Sequence, residues 1–217
     1  LNHIVTWIFI MTIQKIVQQR DITRLFHFTH SDNLSSILEN GLISRSELDN
    51  ADAIYDFNDQ SRIDGHLDAI SLSISFPNSK MFYKYRCSKP GNWVILEIDP
   101  SILWTKNCAF YPTNAASNNV RFNDFELMKG VHAFNNLFLD NIFGIQRDKW
   151  ISDKYPTDVQ AEVLVFEKIA PQFIISTFHA NKESAVHFKR LHPQTKQRYY
   201  ANLNGKTLYS QRDYFLG

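Results

Sequence analysis

Glu162 enters an otherwise apolar run, QAEVLV over 160–165. A carboxylate there is costly unless it is paired or put to use. His27 lies within LFHFT (25–29), with His30 three residues on, and Arg62 opens RIDG just ahead of the alternating AISLSISF of 69–76. These types offer a fixed negative charge, an imidazole that donates from one ring nitrogen while the other accepts, and a planar cationic fork. They suit the binding of a polar ligand and electrostatic work on it. On residue type alone each also has a structural reading: His27 a satisfied histidine in a short strand, Arg62 a solvated turn residue, Glu162 a strand-edge carboxylate turned to water.

The elements that must position them can be read from periodicity. Residues 12–19 carry Ile13, Ile16 and Val17 at helical spacing. Residues 25–29 read as a short strand, after which Ser31 or Asp32 can cap a helix through Leu34, Ile37 and Leu38 that stops at Gly41. The run 69–76 alternates strictly, which predicts a half-buried strand with Ile70, Leu72, Ile74 and Phe76 on one face and Ser71, Ser73 and Ser75 on the other. Further strands are expected over 93–98, 161–166 and 173–178, and a helix over 125–139. Strands and helices without regular βαβ alternation favour an α+β domain.

Composition narrows the possibilities. A chain of 217 residues suits one domain able to bury a core without a staple. We expect that domain over 11–217, with Met11 as a natural start and residues 1–10 an upstream or appended segment. The apolar start is far short of the ~20 residues a membrane helix needs, and it lacks a basic leader; no membrane association is expected. Cys87 and Cys108 show no zinc spacing, so no metal is expected, and both read as reduced thiols of a cytoplasmic protein. No G-x-G-x-x-G loop is present, which argues against a Rossmann nucleotide site. Net charge is +1, but from Lys182 onward seven Lys and Arg face only Glu183 and Asp213. With Tyr199, Tyr200, Tyr209, Tyr214 and Phe215, that stretch could track a nucleic acid strand, or be a solvated face over core aromatics.

Three segments resemble the DarT family of DNA ADP-ribosyltransferases: RLFHFTHSDNLSSIL (24–38), RIDGHLDAISLSISFPNSKM (62–81) and YPTDVQAEVLVF (155–166). A fourth, AFYPTNAA (109–116), is similar more weakly. The resemblance implies an ADP-ribosyltransferase-like fold of two packed, antiparallel-rich sheets with flanking helices. It also implies NAD as co-substrate and no metal. Glu162 and Arg62 become the expected catalytic residues. His27, Thr29, Asn33, Arg62, Ser71, Ser73 and Tyr83 are expected to hold NAD, and Gln160, Asn114 and Tyr155 the acceptor. Gln160 is placed there because strand alternation would turn it to the same side as Glu162.

The implied reaction breaks the nicotinamide–ribose bond, builds positive charge on the ribose, and stabilises it with the carboxylate while a base nitrogen attacks. The implied acceptor is a base of single-stranded DNA. The run 64–78 followed by aromatics is more similar to the guanine-modifying branch than to the thymine-modifying one. DarT proteins are usually toxins, several of them in phage defence. The implied partner is therefore an antitoxin, an ADP-ribosyl hydrolase of macrodomain or NADAR type. Two other readings stay open: a sister transferase acting on protein or an RNA 2′-phosphate, and a catalytically inactive module that binds single strands.

Overall fold

Thr12 caps the first helix, α1 (Ile13–Gln19), by accepting from the Lys15 N–H, as the spacing of Ile13, Ile16 and Val17 predicts. The computed structural model describes residues 11–50, 66–89, 91–200 and 205–216. Among the described residues nine strands follow: β1 (Leu25–His30), β2 (Ile70–Ile74), β3 (Trp93–Ile98), β4 (Cys108–Tyr111), β5 (Asn141–Ile142), β6 (Ile145–Gln146), β7 (Glu162–Val165), β8 (Ile174–His179) and β9 (Lys196–Tyr199). The other helices are α2 (Leu34–Asn40), α3 (Arg45–Asn50), α4 (Ser79–Ser88), α5 (Ile102–Thr105), α6 (Gly130–Asn136), α7 (Lys182–Leu191) and α8 (Arg212–Leu216). The α+β expectation holds. Arg62 and residues 1–10 lie outside the described residues.

Seven strands form one sheet in the order β4-β7-β2-β1-β3-β8-β9, antiparallel except for β8 with β9; β5 and β6 make a separate hairpin. The two expected sheets are the halves of this one. They meet at β1 and β2, which share two residue pairs, Leu25 with Ile74 and Phe26 with Ser73, whereas β1 pairs with β3 along its whole length. Beyond Phe26 the two strands part.

One face of the sheet carries the main core, with Leu25, Leu72, Ile74, Leu96, Val163 and Val165 packed under α1, α5 and α6. The opposite face is divided. Phe26, Trp93, Ile95 and Phe178 form an aromatic cluster over β1, β3 and β8, and Ala109, Tyr111 and Leu164 form another over β4 and β7. Between them lies β2 with Ser71 and Ser73.

Three sequence expectations change in detail; neither Ser31 nor Asp32 caps α2, because both lie within a 3-10 turn ahead of it and α2 has no side-chain cap. Phe76 does not share a face with Ile74 but joins the aromatic cluster. Ser75 takes φ 61°, which ends the strand's alternation one residue earlier. The expected helix over 125–139 is a 3-10 turn (Phe125–Met128) followed by α6, because Lys129 is extended and Gly130 takes φ 75°. Gly41 ends α2 at φ 88°, and a Cβ there would run into the Ile169 carbonyl, so the stop is also a close approach that only glycine fits.

Candidate active site

Glu162 is the first residue of β7 and is buried, 7% exposed. Alternation puts Glu162 and Leu164 on the divided face, with Val163 and Val165 in the main core. One carboxylate oxygen accepts from the Ser71 hydroxyl on β2. The other accepts from the Ala115 backbone N–H at 3.0 Å. Ser71 also serves the other half of the sheet: its carbonyl accepts from His27 Nδ1 at 2.9 Å. That bond places the imidazole proton on Nδ1. His27 stands on β1 past the last pair with β2, so its ring spans the gap where the strands part. Ser71 thus joins the carboxylate of one half to the imidazole of the other.

The amide facing Glu162 is set by the loop after β4. Asn114 Oδ1 accepts from Ala116 N–H at 2.9 Å and the Asn114 carbonyl from Ser117 N–H at 2.8 Å, a turn that turns Ala115 toward Glu162. Thr113 donates to the buried Asp158 at 2.7 Å, and Asp158 also accepts from the Gln160 N–H at 2.9 Å. The loop after β4 and the entry to β7 are therefore tied through one carboxylate. Two arginines hold the segment before it. Arg147 donates to the Tyr155 carbonyl at 2.8 Å and the Ser152 carbonyl at 3.1 Å. Arg212, itself buried, donates to the carbonyls of Pro156 and Thr157 at 2.6 and 3.0 Å. Desolvation lowers the Arg212 pKa from its usual value.

Glu162, Ser71, His27 and the Asn114 turn are brought together. Thr29 accepts from Asn33 Nδ2 at 3.0 Å, which pins the 3-10 turn (Ser31–Asn33) to the end of β1. Ser73 accepts from the Asn78 N–H at 3.1 Å and fastens the entry to α4. Tyr155 is buried in the aromatic cluster beside Arg24 and Arg212, and burial raises its phenol pKa. Tyr83 is exposed on α4, its phenol pushed up by a hydrogen bond with Cys87. Gln160 precedes the strand, in the turn closed by Ala161 N–H to Asp158 O at 3.1 Å, so strand alternation does not govern its direction. Thr113, the Ala115 amide and Asp158 were not anticipated. Asp158 stood within the YPTDVQAEVLVF segment, but its role depends on a loop far off in sequence.

A family model described as ssDNA thymidine ADP-ribosyltransferase, DarT, matches residues 26–202. The chain belongs to the DarT family. Solved DarT structures share its fold. Thermosipho africanus DarTG in complex with ADP-ribose superposes with a TM-score of 0.57 at 19% identity, over 82% of this chain and 49% of that one. Thermus sp. 2.9 DarT in complex with NAD+ gives 0.54 at 16% identity, over 82% and 94%. The same Thermus protein in complex with ADP-ribosylated ssDNA gives 0.51 at 13% identity, over 84% and 95%. This chain thus spans about half the length of the DarTG chain it matches. No curated protein matches it. Among the described residues, no His, Cys, Asp and Glu cluster could hold a metal ion, and no helix is long and apolar enough to cross a membrane.

Proposed function

We propose that this DarT chain transfers ADP-ribose from NAD to a base of single-stranded DNA, with Glu162 as the catalytic carboxylate. The observation that carries this reading is the Ser71 junction: a buried carboxylate and a fixed imidazole, held by one residue at the point where β1 and β2 part. A carboxylate and an imidazole linked through one residue offer two polar groups for opposite ends of a dinucleotide.

NAD supplies an ADP-ribosyl group whose separation from nicotinamide develops positive charge on the ribose. Glu162 suits that charge because its carboxylate is already oriented by an O–H and an N–H, so little reorganisation accompanies the reaction. His27, with its ring fixed by Ser71, is the group for the ribose distant from nicotinamide. Thr29 and Asn33 border it. Arg62, expected to assist catalysis, is tested by substitution: Ala should abolish most transfer, and Lys should retain more if charge matters more than the fork.

The family description names thymidine as acceptor; the guanine reading rests on the run 64–78 and the aromatics that follow it. Mass spectrometry of products from oligonucleotides lacking one base or the other assigns the acceptor. Relatives include a DarTG, so a toxin role with an antitoxin that removes the mark is part of the same proposal. Nicotinamide release with and without single-stranded DNA tests the core of it. Release that rises with DNA and labels a base supports the reading. Label on protein alone, or no release, overturns it.

A further inference from the structure

The divided face holds a second buried carboxylate. Glu97 on β3 is 4% exposed and accepts from the Ser176 hydroxyl on β8. Arg24 Nη1 lies 3.5 Å from one of its oxygens and Arg198 Nη2 3.6 Å from the other. One negative charge thus faces two positive ones, leaving a surplus cation.

Three other arginines have donors committed to backbone carbonyls. Arg86 donates to the Tyr209 carbonyl, Arg147 to Tyr155 and Ser152, Arg212 to Pro156 and Thr157. Among the described residues, the guanidinium groups of Arg24 and Arg198 make no hydrogen bond, and Arg198 Nε is buried without a partner. Both side chains remain open to water, 42% and 33% exposed. Arg198 also packs over the Phe178 ring at 5.3 Å, and Phe178 stacks on Tyr200. These are two forks aimed by a common carboxylate and an aromatic backing, with their donors still available. A guanidinium in that state fits a phosphate oxygen pair.

The position fits a polymer as well. Ser176, Glu97, Phe26 and Ser73 are successive cross-strand partners on this face. Val163 pairs with Leu72, which sets Glu162 beside Ser73. Glu97 is therefore three strand spacings from Glu162, roughly 14–15 Å along one surface. Arg24 precedes the end of β1 that is joined to β2, away from the gap assigned to NAD.

The geometry points to a phosphate subsite formed by Arg24 and Arg198, which holds the backbone of the single-stranded DNA flanking the reacting base. This rests on the proposed function. Fluorescence anisotropy of a labelled oligonucleotide, without NAD, is read at several salt concentrations for the wild type and for Arg24→Gln, Arg198→Gln and the two Lys replacements. Each Gln variant should lower the slope of log K against log salt by about 0.7, while each Lys variant keeps it. The KM for NAD should stay unchanged. Unchanged slopes, whatever happens to Tm, overturn the subsite and leave a structural ion pair. A raised KM for NAD with unchanged slopes assigns the phosphate to the dinucleotide and overturns it too. A wild type that neither binds nor modifies single strands overturns the parent function, and this inference with it. Wild-type modification with unaltered variants sinks the inference alone.

Discussion

Two carboxylates are buried on one face of the sheet, and each accepts from a serine of a neighbouring strand. They differ in the donors beside that serine. Glu97 is flanked by two guanidinium groups, so its charge is neutralised where it sits. Glu162 accepts from a backbone amide, a fixed dipole that orients the carboxylate. An ion pair holds a fold or a surface together; a carboxylate oriented by a hydroxyl and a backbone amide is placed to act on a developing cation. Burial alone does not identify a catalytic acid. The donors that orient it are a second criterion, which substitution tests.

The sharpest break in this comparison is the Gln replacement at each site. Glu162→Gln keeps an oxygen for the Ala115 amide, so the variant should fold and bind NAD, yet transfer ADP-ribose at least about a hundredfold more slowly. Single-turnover transfer at saturating NAD reads this directly, and near-normal transfer would remove Glu162 from the mechanism. His27→Ala comes next. Losing one hydrogen-bonding group should weaken NAD binding roughly three- to tenfold. Calorimetry showing unchanged affinity would separate His27 from the dinucleotide and break the link through Ser71.

Glu97→Gln should reverse the pattern. Two partly exposed guanidinium groups lose their anion, which costs about 1–2 kcal/mol after allowing for solvent screening. The expected signature is a Tm lower by roughly 3–8 °C, with transfer at saturating DNA within about threefold of wild type. A hundredfold loss of transfer in this variant would mean that the two carboxylates act together and that the distinction drawn here fails.

Much of this was legible in the sequence because it depended on local pattern. Alternation through 69–76 and the apolar run after Glu162 located β2 and β7 and the faces of Ser71, Leu164 and Val163. Gly41 marked its helix stop. The partners of Glu162 were not legible. The Ala115 amide comes from a loop 47 residues away, and a backbone N–H leaves no side-chain signal. Nor could composition tell which basic residues face solvent. Arg212 belongs to the basic C-terminal stretch, yet it is buried as a clamp on the carbonyls before β7, and the Tyr209 hydroxyl donates to Trp93 and Phe178 carbonyls in the interior. A charge count treats Arg198 and Arg212 alike, and only tertiary contacts separate them.

The smallest effect is expected at Glu167, two residues after β7 ends and five after Glu162. It accepts from the Asn107 N–H at 2.7 Å and the Lys106 ammonium at 3.0 Å, and is 45% exposed. The backbone hydrogen bond, then the Lys106 contact, hold its pKa below the ordinary carboxylate value. Its ionised form is thus favoured in the folded state. The resulting stability is fully present above the unfolded pKa of roughly 4.3 and is lost as pH falls through the lower folded value. An exposed pair of this kind contributes about 1 kcal/mol or less. Glu167→Gln should therefore transfer ADP-ribose normally and melt at most a few degrees lower at neutral pH. The gap between variant and wild type should close as the solution is acidified below about pH 4. Thermal melts across pH 3–8, beside the transfer assay, check both halves. A collapse of transfer at Glu167 with Glu162→Gln unaffected would move the catalytic charge to the far end of the strand.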